Sequence, residues 1–121
     1  MSTSDLLTVE YGDRADAVLL HVRGEIDMGT APVLRGHLED AVRRGTDAPV
    51  LLDLTGVGFL ASAGLALLVE YHTRCRDEGR ALRVLTDGGA VLRAIQISSL
   101  DHVLEVHPSV AEAMSADHAG G

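Results

Sequence analysis

Lysine and tryptophan are both missing from this chain of 121 residues, and cysteine occurs once. Each absence excludes something. Without a lysine amine there is no Walker-type phosphate loop, no Schiff base and no response-regulator receiver switch. A lone Cys75 cannot close an internal disulfide, so nothing points to an oxidising compartment. Aromatic residues make up 2% and are Tyr11, Phe59 and Tyr71 alone. The core must be built from Leu, Val, Ile and Ala, and a platform of stacked bases on one surface is excluded. No apolar stretch reaches the ~18 residues that a membrane-spanning helix needs. The start, Met1-Ser2-Thr3-Ser4-Asp5, has neither a basic region nor a long apolar run, so no signal peptide is read and the expected location is the cytoplasm.

What is present is a globular composition, 46% hydrophobic and 23% charged, in a length that suits one domain. The expected boundaries are 1–121, with about 5–116 ordered between short flexible termini. All ten basic residues are arginine, against eighteen acids, for a net charge of −8. Such an anion carries no electrostatic footprint for nucleic acid or for insertion into anionic membrane. Other proteins are the expected partners, and the chain itself is expected to be a monomer or weak dimer.

Periodicity gives the element order. Leu7, Val9 and Tyr11 alternate with polar residues, and so do Val18, Leu20 and Val22, with turn residues 12–16 between them: a hairpin. Thr30 is placed to cap a helix with Pro32 in its first turn, its inner face Leu34, Leu38, Ala41 and Val42, its stop Gly45. Val50-Leu51-Leu52-Asp53-Leu54, bounded by Pro49 and Gly56, predicts a central strand buried on both faces with Asp53 near its carboxyl end. A helix follows over 62–76 and ends at Gly79. Leu82 and Val84 mark a strand, Gly88-Gly89 a turn, 91–95 a third helix, 103–106 a last strand and Pro108 onward a last helix, with 118–121 as a frayed tail. The class is α/β, a mixed and mostly parallel sheet with an N-terminal hairpin and about four helices. Glu25, Asp27, the stretch from Asp53 to Ser62, and Asp87 then gather on the carboxyl edge, where open α/β sheets place their ligands.

Ser62 falls at the start of the second helix and reads first as its cap. A helical wheel puts Leu65, Leu68, His72 and Cys75 inward and Leu67 outward, flanked by Ala63 and Ala66. That predicts a small apolar docking patch beside an exposed hydroxyl. Cys75 reads as a small buried hydrophobe.

The same residues resemble the signature of the STAS domain family, as found in bacterial anti-sigma factor antagonists. Asp53-Leu54-Thr55, Phe59, Ser62 and Gly64-Leu65 match its central pattern, and Gly24-Glu25-Ile26-Asp27 and 31–35 match the segment after the second strand. Arg93, Ile95, Ile97-Ser98 and Leu100 are similar to its third helix and exit. The resemblance implies a regulatory binding protein that engages an anti-sigma factor, itself a serine kinase, and so frees a sigma factor. It also implies phosphorylation of Ser62, with Glu25, Asp27, Ser62, Ala63, Ala66 and Leu67 meeting the partner and Asp53, Phe59 and Gly64 as motif residues. Three positions depart from the pattern: the acid before the serine is Ala61, the hydroxyl residue after it is Ala63, and a glycine of the exit is Ser99.

Two alternatives share parts of this reading. One is a STAS module of another assembly, such as a stressosome or a lipid-transport complex. The other is a small phosphotransfer or hydrolase domain using Asp53 or Ser62. No catalytic residues, metal site or cofactor are expected. The six histidines lack zinc-site spacing, Glu25, Asp27 and Asp53 form the sole acid cluster to weigh, and Gly56-Val57-Gly58 lacks the third glycine of a dinucleotide loop.

Overall fold

The computed structural model describes residues 6–44 and 47–119. The elements follow in the expected order: β1 (Leu7–Tyr11), β2 (Val18–Ile26), α1 (Ala31–Arg43), β3 (Val50–Leu60), α2 (Ser62–Asp77), β4 (Leu82–Leu85), α3 (Gly89–Ile97), a 3-10 turn at Leu100–His102, β5 (Glu105–His107) and α4 (Val110–Ala119). Gly45, the expected stop of α1, lies outside the described residues, as do Met1–Asp5 and Gly120-Gly121. The backbone of α4 continues to Ala119, so 118 and 119 of the expected tail are helical.

The five strands lie in sequence order, β1-β2-β3-β4-β5. β1 and β2 pair antiparallel, Leu7 facing Gly24 and Tyr11 facing Leu20. The other three pairs are parallel, each joined through a helix. One face of the sheet, built by Leu20, Val22, Leu52, Leu54 and Val84, packs with Leu34 and Leu38 of α1, Leu68 and Tyr71 of α2, and Val91 and Ile95 of α3. On the other face a smaller cluster, Ala17, Leu19, Leu51 and Leu85, packs with Ala113 of α4. Leu51 and Leu52 point to opposite faces and are both fully buried, as expected for this central strand.

β3 differs from the expectation. It does not end before Gly56 but runs eleven residues to Leu60. β2 continues beside it, so Gly24 pairs with Val57, Glu25 with Phe59 and Ile26 with Leu60, with register shifts that absorb the glycines. At Gly56 a Cβ would come within 2.9 Å of the Arg23 Cγ and 3.1 Å of the Val22 carbonyl, so glycine there admits close approach and does not break the strand. Asp53 is therefore a mid-strand residue, level with Leu85 at the end of β4. At the exit of α3, Ser99 holds a left-handed conformation (φ 61), which glycine would adopt with less strain.

Two charged clamps tie α1 to α2. Arg35 meets Glu70 through two hydrogen bonds of 2.7 and 3.0 Å. Arg74 meets Glu39 through two more of 2.6 and 2.9 Å, and the Tyr71 hydroxyl donates to the same carboxylate. The Arg74 guanidinium, then the Tyr71 hydroxyl, draw the Glu39 carboxyl from an ordinary 4.5 to about 2. A carboxyl that ionises more readily folded than unfolded contributes stability above its unfolded pKa, and that contribution fades as pH falls toward the folded value. The melting temperature of the wild type should therefore drop between pH about 4.5 and 2 more steeply than that of Glu39→Gln. Parallel profiles for the two proteins would show that the clamp contributes nothing.

Candidate functional site

The site is built where β2 and β3 end together. The Ala61 N–H donates to the Ile26 carbonyl at 2.8 Å, so the turn into α2 is fastened to the last residue of β2. Asp27 follows Ile26 and Ser62 follows Ala61, which puts both on the carboxyl edge as expected. Gly64 sets how closely α2 can approach: a Cβ there would lie 2.5 Å from Ile26 Cγ2 and 2.6 Å from Leu60 Cδ1. Only glycine fits without displacing those side chains.

Asp27 is committed locally through one oxygen. Its Oδ1 accepts from the Gly29 and Thr30 N–H groups, both at 2.9 Å, and fixes the turn into α1. Thr30 stands at the cap position but its hydroxyl does not cap α1. It donates to the Glu25 carbonyl at 2.7 Å and accepts from the Asp27 N–H at 2.9 Å, with the residue fully buried. This turn is thus a buried knot that holds Glu25 and Asp27 in place, Glu25 exposed and Asp27 half-buried.

Ser62 likewise differs from its expected role. Ala61 occupies the cap position of α2, and no side chain caps this helix. Ser62 is the first helical residue and is exposed. Its hydroxyl sits beside first-turn N–H groups that have no intrahelical acceptor. Ala63 is half-buried and Ala66 exposed, with Phe59 at 47% and Met28 at 82% exposure on the same edge. A single methionine in a loop carries no sequence pattern, so Met28 stands out only in the structure. Met28, Ala31, Pro32, Arg35, Ala63 and Leu67 line a shallow groove of about 220 Å³ between the starts of α1 and α2.

Leu67 corrects the helical wheel. It is 3% exposed, and the buried face of α2 is Gly64, Leu67, Leu68, Tyr71 and Cys75, with Leu65 and His72 only half-buried. The wheel assumes one partner, whereas α2 is covered by both the sheet and α1, which widens and rotates the buried arc. Leu67 therefore forms the floor of the groove and offers no projecting patch. Burial pushes the Cys75 thiol pKa up, as fits its place in the core.

Asp53 takes no part in this edge. Its Oδ2 lies 2.7 Å from His21 Nδ1, and its Oδ1 accepts from the Thr55 amide and hydroxyl at 3.0 and 2.7 Å. Burial opposes its ionisation, but the Thr55 and His21 contacts outweigh that and hold the carboxyl below its usual range. It pins β2 to β3 on the open sheet face. Glu25, Asp27 and Asp53 thus do not converge, and among the described residues no group of three metal-ligating side chains forms.

Truncating Leu67 to alanine should cost ~2–5 kcal/mol, as for other buried leucines, in urea-unfolding measurements. A loss under ~0.5 kcal/mol would return Leu67 to the surface.

Comparisons with known proteins bear on the family and the fold. The STAS domain family profile matches residues 8–113. The anti-sigma-F factor antagonist RsfA of Mycobacterium tuberculosis is 32% identical over 110 residues, covering 90% of this chain and 84% of that protein. The crystal structure of an anti-sigma factor antagonist from Mycobacterium paratuberculosis superposes with a TM-score of 0.83 at 30% identity, covering 96% and 97% of the two chains. The Bacillus cell fate determinant SpoIIAA, solved in its phosphorylated form, shares the fold with a TM-score of 0.63 at 17% identity, covering 91% of this chain and 97% of that one. With a family profile running over most of its length, this chain belongs to the STAS domain family.

Proposed function

We propose that this protein is an anti-sigma factor antagonist that docks an anti-sigma factor on the carboxyl edge of its sheet. Its relatives RsfA and the Mycobacterium paratuberculosis protein carry that description. The observation that carries the reading is Ser62: exposed, at the first position of α2, its hydroxyl free of any capping bond, on the edge it shares with Asp27. Glu25, Asp27, Ser62, Ala63 and Ala66 form the contact surface with Met28 and Phe59, and the groove floored by Leu67 receives an apolar side chain of the partner. The protein acts by binding and not by catalysis, and it works where sigma factors work, in the cytoplasm.

The switch in this reading is a phosphate on Ser62, supplied by an anti-sigma factor of the serine-kinase type. Transfer of the ATP γ-phosphoryl group to Ser62 Oγ breaks the β–γ anhydride bond, releases ADP and the hydroxyl proton, and adds roughly −1.5 to −2 charges. The unpaired N–H groups and positive end of α2 accept that charge without unfolding the helix. Glu25 and Asp27 add to it, so an acidic or tightly apposed partner surface is repelled. Replacing the usual acid before the serine by Ala61 leaves the acceptor hydroxyl in place. Phosphorylation of a Bacillus relative with the same fold is in keeping with this reading.

Calorimetric titration against the anti-sigma factor from the same genome tests the reading. Ser62→Asp should raise Kd at least tenfold, about 1.4 kcal/mol, with little change in melting temperature. Ser62→Ala should bind like the wild type and take no phosphate. Wild-type affinity in Ser62→Asp would contradict the switch, and no binding by the unmodified wild type would contradict the function itself.

A further inference from the structure

The opposite edge of the sheet, at the amino ends of β3, β4 and β5, holds a half-open cavity of about 480 Å³. His72 and Arg76 of α2, Arg80 of the following loop and Arg83 of β4 line it, against the acids Asp47 and Glu105. In a chain of ten arginines and eighteen acids, this reverses the overall sign of charge. The volume lies within the usual range for a small-molecule site and far exceeds a bare ion.

Arg80 is the unusual member. Arg14, Arg35 and Arg74 each pair closely with a carboxylate. Arg80 is 7% exposed, and its N–H groups go to neutral acceptors: Ala48 O at 3.1 and 3.0 Å, and Val42 O at 3.1 Å. Among the described residues no carboxylate lies within ion-pairing distance of it. The carbonyl end of α1 offsets about half a charge, and among the described residues no counter-ion meets the remainder. Arg83, by contrast, meets Glu105 at 3.4 Å and the Ala113 carbonyl at 3.1 Å. Two further side chains of the lining belong to α2. Arg76 is exposed at the mouth with no ion pair among the described residues, and His72 Nδ1 is shut from solvent without a hydrogen-bond partner.

We propose that this cavity binds a small phosphate-bearing molecule, its phosphate held between Arg76 and His72 over the fixed charge of Arg80. A guanidinium fork matches two oxygens of a phosphate, and a dianion cancels both the buried charge of Arg80 and that of Arg76. The alkyl stems of the arginines with Pro49, Ala81 and Leu82 supply the apolar wall for the rest of the ligand. Ser62 lies on the other edge, so this site stands apart from the docking surface.

Amide spectra of the ¹⁵N-labelled protein, titrated with inorganic phosphate and with glycerol 3-phosphate against chloride and acetate at equal ionic strength, test it. Both phosphates should give saturable shifts centred on His72, Arg76 and 79–81, with acetate at least tenfold weaker. Arg76→Gln and His72→Gln should each weaken phosphate binding at least tenfold while keeping the wild-type melting temperature. Shifts that follow ionic strength alone, saturable shifts centred elsewhere, acetate binding equal to phosphate, or unchanged affinity in Arg76→Gln would each overturn the proposal.

Discussion

The parallel pairing of β2 with β3, carried past the ends of β4 and β5 to Ile26 and Leu60, is the constraint on which the site depends. It delivers two strand ends at the same level. The Ala61 N–H then bonds the Ile26 carbonyl, and Gly64 lets α2 settle against Ile26 and Leu60. Had β3 ended at Gly56, α2 would begin several residues away from Asp27. A backbone ladder, which no single side chain controls, therefore sets the separation between the acid and the hydroxyl.

Around that ladder the molecule separates rigid from free groups. The Asp27–Thr30 knot, the Glu39–Arg74–Tyr71 clamp and the Arg35–Glu70 pair are all committed contacts that hold α1 and α2 on the sheet. Each desolvated or bidentate pair fixes geometry more than it adds net stability. Ser62, Glu25, Met28 and Phe59 are left exposed on the frame so fixed. A charge added at Ser62 meets no buried contact to break, so in the proposed switch its effect falls on binding and not on the fold. The two edges also differ: acids Glu25, Asp27 and Asp87 follow the strands at one, whereas arginines collect at the other.

Much of this was legible in the sequence. Element order and the inner face of α1 follow from periodicity, and the doubly buried Val50–Leu54 run from its unbroken apolar sequence, because each signal lies within one local segment. The failures share one cause, which is that pairing with a second neighbour is invisible in a local pattern. Gly56 looks like a breaker until β2 is placed alongside. Leu67 looks exposed until α1 covers it. Thr30 and Ser62 look like caps by residue type, yet the Glu25 carbonyl claims the first hydroxyl, and α2 starts one residue earlier, at Ser62 itself, which leaves the second free. Arg80 gave no sequence signal, since its partners are main-chain carbonyls.

The central claim is that the carboxyl edge, with Ser62 at its middle, is the surface that meets the anti-sigma factor. Cross-saturation between the unlabelled anti-sigma factor and the deuterated, ¹⁵N-labelled protein measures this directly. Intensity should be lost at 25–29 and 59–66, with the amino-edge loop at 79–81 unaffected. Losses centred on the open sheet face around His21 and Asp53, or on the amino edge, would contradict the account.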